Sequence, residues 1–183
     1  MTESPIIIQI IGYSNSGKTT LIKKLLKRMT ERNIKAATIK HHGHSVPLKP
    51  MDVGKDSESH RQSGALGSLV VSNKELQWSM SFDTPPPIKD LITFYKNFLL
   101  DAIIVEGYKW ENYKKVVLIK NKEDLPLLEK CTNMKCIICW SEEDKKELQA
   151  KLSIPIFTIN DDTNYIDWLI NHLIGRSDGR VNK

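Results

Sequence analysis

Ile6-Ile-Ile-Gln-Ile-Ile11 is almost continuously apolar and runs straight into Gly12-Tyr-Ser-Asn-Ser-Gly-Lys-Thr19. From Lys18 onward the period changes. Leu21, Ile22, Leu25, Leu26 and Met29 recur at helical spacing between lysines and arginines. A short apolar run closed by a glycine-bearing turn fits a buried parallel strand. The first unit therefore reads as strand, loop, helix, and the loop has the spacing Gly-x-x-x-x-Gly-Lys-Thr. In that context each residue has a physical task. Gly12 and Gly17 let the backbone turn tightly and come close to an anion. Backbone N–H groups of Ser14, Asn15, Ser16, Gly17, Lys18 and Thr19, continuing to Thr20, form an inward-pointing nest. The start of the helix adds its positive end. Lys18 is placed for β and γ phosphates and Thr19 for Mg²⁺.

Strands and helices alternate along the rest of the chain. Ala36 to Ile39, Ser68 to Ser72, Ala102 to Val105, Val116 to Ile119, Cys136 to Trp140 and Pro155 to Ile159 read as strands. Leu76, Trp78, Met80 and Phe82 alternate with polar residues, which predicts a half-buried antiparallel strand beside 68–72. Helical stripes follow at Ile88, Leu91, Ile92, Tyr95, Phe98 and Leu99, and at Ile166, Leu169, Ile170 and Leu173. Ser141 with Asp144 resembles a capping box that opens a helix over 142–151, and Asp161 or Asp162 can cap the last helix. Residues 40–64 form a long polar stretch, with a short helix around Arg61. The expected architecture is α/β: a three-layer P-loop fold with a mostly parallel sheet and an antiparallel strand or hairpin extension. One nucleotide-binding domain over 1–174 is expected, with a disordered polar tail at 175–183.

Composition narrows the setting. The formal net charge over 183 residues is +5, which suits anionic ligands without a block of like charges that would mark a nucleic-acid arm. No apolar run is long enough to span a membrane. The amino terminus carries Glu3 and no basic segment, so it reads as the approach to a strand and not as a signal peptide. Three cysteines, an odd number, suit a reducing cytoplasm. Cys136 and Cys139 lie in an apolar run, where their thiols would face opposite sides of a strand.

A phosphate site of this kind needs an acid at the carboxyl end of a neighbouring strand. Asp101-Ala-Ile-Ile-Val-Glu106 supplies Glu106, placed to hold Mg²⁺ or orient an attacking water. Asp52, Lys55, Asp56 and Ser57 resemble a switch loop in which Asp56 is a second catalytic candidate, or are simply solvated. Lys40, His41, His42 and His44 follow a strand and are candidates for phosphate, cofactor or partner contacts. His42 with His44 also has a metal-binding spacing but no fixed third ligand. Lys55, Ser57 and Arg61 are further candidate contacts, with a surface salt bridge as the plainer role for Arg61. Asn121-Lys-Glu-Asp124 matches a guanine-reading pattern in which Asp124 accepts from the base, although the same four residues arise readily in a Lys/Glu-rich stretch. Trp110 is either an exposed contact or ordinary packing.

Four segments together resemble the molybdopterin-guanine dinucleotide biosynthesis protein B family, MobB. They are Gly12 to Leu21, then Thr38-Ile-Lys-His-His-Gly-His44. Asp52-Val-Gly-Lys-Asp-Ser57 follows with His60-Arg61 and Gly64-Ala65, and Val105-Glu-Gly-Tyr-Lys109 is last. The resemblance spans residues 6 to about 110. It implies a homodimeric GTP-binding protein with weak Mg²⁺-dependent hydrolysis. It also implies a role in attaching a guanine nucleotide to the molybdenum cofactor, beside a separate MobA-type nucleotidyltransferase. Neither membrane nor nucleic acid is an expected partner. Two other readings stay open: a non-hydrolysing adaptor or carrier for the cofactor, and a small-molecule P-loop kinase. The scattered arginines count against the kinase.

Overall fold

In the computed structural model, which describes residues 4–43 and 48–175, β1 (Ile6–Ile11) is the centre of a six-stranded sheet. It pairs in parallel with β5 (Ala102–Glu106) on one side and with β6 (Lys114–Ile119) on the other. Outside β5 lies β2 (Ala36–Lys40), and outside β6 lie β7 (Met134–Cys139) and β8 (Ile156–Thr158). The order is β2-β5-β1-β6-β7-β8, every pairing parallel. The continuous apolar runs have the cause the sequence suggested: both sheet faces are covered. Ile8, Ile10, Ile104, Val116, Leu118, Cys136 and Ile138 feed one core, with α1 (Lys18–Glu31), α6 (Asp162–Trp168) and the π-helical turn Leu169–Ile174. Ile11, Val117, Ile119, Ile137 and Cys139 feed the other, with α4 (Pro126–Lys130) and α5 (Glu142–Gln149). Cys136 and Cys139 thus face opposite sides as expected, and burial pushes both thiols up to about 12.

α1 buries Leu21, Ile22, Leu25 and Met29 on one stripe, each contributing about 1.5–3 kcal/mol by leaving water. The capping reading of α5 holds: Ser141 Oγ accepts from Asp144 N at 3.1 Å. The closing helical stripe is buried at Ile166, Leu169, Ile170 and Leu173, ending at left-handed Gly175. The remainder of the expected disordered tail lies outside the described residues.

The chain divides into two compact units, Met1–Gly43 with Leu91–Lys183, and His44–Asp90. The second unit holds α2 (Asp56–Gln62) and the antiparallel hairpin β3 (Gly67–Val71) and β4 (Leu76–Met80). Here the structure corrects the expected half-burial. Leu76, Trp78 and Met80 alternate as expected, yet each is 43% exposed. Alternation puts them on one face, but a two-stranded ribbon supplies no second layer to cover that face. A second correction concerns α3 (Ile88–Tyr95), which stops before Phe98 and Leu99. The amide of Asn97 donates to Thr93 O and Phe94 O, the chain tightens there, and Leu99 is left exposed.

Candidate functional site

The loop between β1 and α1 is built on two glycines. A Cβ at Gly12 would lie 2.5 Å from Ser16 Oγ and 3.0 Å from Leu118 O, so only glycine allows the loop to pass over β6. Gly17 opens α1 at φ +96°, a left-handed conformation that side chains disfavour. Asn15 also takes a left-handed φ of 58°, which asparagine tolerates. Ser16 is fully buried beneath the loop. Lys18 folds back over it, its Nζ donating to Tyr13 O at 2.6 Å. Burial lowers the Lys18 pKa, Glu106 opposes that, and the nearby Lys109 and Lys40 ammoniums reinforce it. Lys109 Nζ sits 4.0 Å from the centroid of the Tyr13 ring. Three lysines against two carboxylates, Glu106 and Asp124, leave a net positive cradle, as an anion site requires.

Glu106 closes β5 directly beside the cradle, in register with Ile10 of β1 and Lys40 of β2. Thr19 Oγ1 donates to Glu106 Oε1 at 3.4 Å, and Lys40 Nζ lies 3.1 Å from the same oxygen. The hydroxyl and the acid assigned to Mg²⁺ thus converge, which fits a hard cation's preference for oxygen donors. Lys40 joins them, and His41 follows with its backbone N–H donating to Glu106 O at 2.9 Å and its ring against Tyr108.

The segment after Glu106 is held by a residue that sequence reasoning passed over. Gln9 is fully buried in β1. Its Nε2 donates to Tyr108 O at 2.6 Å and to Gly107 O at 3.1 Å, and its Oε1 accepts from Tyr113 N at 3.4 Å. Tyr108 takes φ 52°, costly for a bulky side chain, and the Gln9 bonds hold it there. A lone glutamine in an apolar strand was the available signal. Fully buried Lys115 does similar work from β6, its Nζ donating to the carbonyls of Glu111 and Tyr113. Trp110, in the same segment, is 63% exposed.

Asp124 acts on Lys18 electrostatically, and the other candidates fall elsewhere. Asp124 is buried in the 3₁₀ turn Lys122–Asp124, and its Oδ2 accepts the backbone N–H of Lys120 at 2.8 Å, a local turn-closing task. Lys55, Asp56, Ser57 and Arg61 belong to the second unit. Asp56 begins α2 and is exposed. Arg61 Nη2 donates to Asp52 Oδ1 at 2.7 Å, its Nη1 donates to Ser68 Oγ, and Ser57 Oγ donates to Asp52 Oδ2. This bidentate cluster ties the long polar stretch to β3, which is a structural use of Ser57 and Arg61. His44 lies outside the described residues. Among the described residues no group of three or more His, Cys, Asp or Glu side chains gathers.

Trp140, immediately after β7, was also missed. Its Nε1 donates to Ser16 O at 3.0 Å, pinning the loop from the side opposite Glu106.

A parallel sheet, a glycine-built anion loop at its centre and an acid on the adjacent strand define a P-loop α/β protein. Within that class the chain belongs to the MobB family, molybdopterin guanine dinucleotide synthesis protein B, whose family model matches residues 7–140. The probable molybdopterin-guanine dinucleotide biosynthesis adapter protein of Bacillus subtilis (strain 168) is 32% identical over 171 residues, 93% of this chain and 95% of that protein. The adapter protein of Haemophilus influenzae is 34% identical over 125 residues, 67% of this chain and 68% of its own length. The crystal structure of Bacillus subtilis MobB superposes with a TM-score of 0.78 at 30% identity, covering 93% of this chain and 99% of that one. The likeness therefore extends well past residue 110, where the recognisable motifs end.

Proposed function

We propose that this protein is an adapter in molybdopterin guanine dinucleotide biosynthesis that binds Mg²⁺·GTP in the Gly12–Thr20 cradle. The observation that carries the reading is the convergence of Thr19 and Lys40 on Glu106 beside Lys18. The family relatives named as adapter proteins supply the pathway. Lys18 and the loop N–H groups hold the phosphates, and Thr19 and Glu106 hold the metal, Glu106 through water. Glu106 is also the acid available to orient a hydrolytic water. Hydrolysis is slow, because the arginines of the described residues are engaged in structural pairs. Arg28 and Arg32 bond Asp167, and Arg61 bonds Asp52. A MobA-type nucleotidyltransferase is the partner that performs the transfer, with the molybdopterin cofactor as cargo. The exposed β3–β4 ribbon is consistent with a homodimer. No helix among the described residues is long and apolar enough to cross a membrane, and a cytoplasmic setting suits the pathway.

The test is a titration of GTP and ATP, with and without Mg²⁺, on the wild type and Lys18→Ala. GTP binding that is enhanced by Mg²⁺ and lost in Lys18→Ala supports the reading. Wild-type protein that binds neither triphosphate refutes it, and equal affinity for ATP removes the guanine preference.

A further inference from the structure

The strand order gives the cradle a direction. Glu106 ends β5 on one side of β1, while β6, β7 and β8 lie on the other. In a P-loop the metal-binding hydroxyl marks the β/γ end of the phosphate chain, so the rest of the nucleotide points away from the acid. Here it points past Thr20 toward the carboxyl ends of β7 and β8, where a parallel sheet places its ligands. A cavity of about 350 Å³ lies there, lined by Gly17, Thr20, Lys24, Trp140, Ile159 and Asn160. It shares Gly17, Thr20 and Trp140 with a second cavity that wraps the loop itself.

The lining has the chemistry of a base site. Trp140 is 41% exposed and lines both cavities. It is also fixed, because Nε1 is bonded to Ser16 O and Lys120 Nζ lies 5.2 Å from the ring centroid. A fixed aromatic plane stacks any base at little entropic cost. Ile159 adds an apolar wall, and exposed Asn160 offers both donor and acceptor to a base edge. Lys24, also in the lining, bridges Asp162 at 2.6 Å. We infer that this cavity is the nucleoside subsite, with Trp140 as its stacking platform and Asn160 as its edge contact. This assigns base recognition to the ends of β7 and β8 and not to Asp124. It rests on the reading of the loop as a triphosphate cradle.

The experiment compares Mg²⁺·GTP with Mg²⁺·tripolyphosphate, which has the phosphates without the nucleoside. Calorimetric titrations are run on the wild type, Trp140→Phe, Trp140→Ala and Asn160→Ala. The wild type is expected to bind GTP more tightly than tripolyphosphate. Trp140→Ala should weaken GTP about tenfold or more, while Trp140→Phe, which keeps a ring, retains most of the affinity. Asn160→Ala leaves the Trp140–Ser16 bond in place and should weaken GTP while tripolyphosphate is unchanged. The inference is overturned if GTP and tripolyphosphate bind the wild type equally. It is overturned too if GTP and tripolyphosphate weaken in parallel in Trp140→Ala and Asn160→Ala leaves GTP unaltered, for Trp140 then serves only the loop. A wild type that binds neither ligand instead overturns the triphosphate reading itself.

Discussion

Replacing Gln9 by leucine tests whether one buried amide holds the segment behind Glu106. The side chains are close in size, so packing in β1 is nearly conserved. What changes is hydrogen bonding: Tyr108 O and Gly107 O each lose a donor, and Tyr113 N–H loses a weak acceptor. The two stronger bonds contribute about 1 kcal/mol each and the 3.4 Å bond less, with a further penalty for the carbonyls left half-buried. Leucine's gain on burial offsets about 1 kcal/mol. The net loss is about 2 kcal/mol, or a fall in melting temperature of roughly 4–8 °C for a chain of this size. The loss should be local first. Amide hydrogen exchange at residues 107–113 is expected to accelerate about tenfold or more in Gln9→Leu, while the amides of α1 change little. A variant whose melting temperature and loop exchange both match the wild type would refute the argument that Gln9 fixes this turn.

Three further outcomes are expected. Glu106→Gln should cut the Mg²⁺-dependent gain in GTP affinity by about tenfold or more while leaving metal-free binding near the wild-type value, read from paired titrations with and without EDTA. In the second unit, the Arg61 guanidinium and then the Ser57 hydroxyl hold the Asp52 carboxyl well below the usual carboxylate range. The folded state thus binds this proton more weakly than the unfolded chain, so the stabilisation is complete above about pH 4 and fades as the pH falls further. Asp52→Asn should flatten that acid limb, measured by hydrogen exchange of the α2 and hairpin amides between about pH 5 and pH 2. Alkylation of the native protein near about pH 8 should modify Cys131, the partly exposed thiol, and spare Cys136 and Cys139; all three should react in denaturant.

The sheet strands and the cradle were legible because their signals are local. A run such as Ile6–Ile11 states its own burial, and Gly12, Gly17, Lys18 and Thr19 state theirs by spacing. Glu106 was legible because a strand's last residue lies at the ligand-bearing edge. Strand order was not legible, since it depends on pairings such as β1 with β5 between residues roughly a hundred apart in sequence. Trp140 and Asn160 escaped for that reason: nothing near them in sequence signals the loop 124 residues earlier that Trp140 touches. The hairpin shows the converse. The alternation of Leu76, Trp78 and Met80 was read correctly as one face, but burial needs a second layer, which an alternating pattern does not specify. Asp124 shows how a motif-shaped quartet also fits a turn that caps itself.

The alternation of Cys136 and Cys139 between two cores has an energetic consequence. They stand three positions apart in β7, yet the sheet separates their surroundings, and they share no neighbours in the two clusters. Cys136→Ala and Cys139→Ala should therefore add in a double-mutant cycle. Cys136 and Leu118, more distant in sequence but on one face, belong to the same core cluster and should couple. The central sheet thus insulates damage on one face from damage on the other, so a substitution's compensating partners are to be sought across strands on its own face, not beside it in the chain.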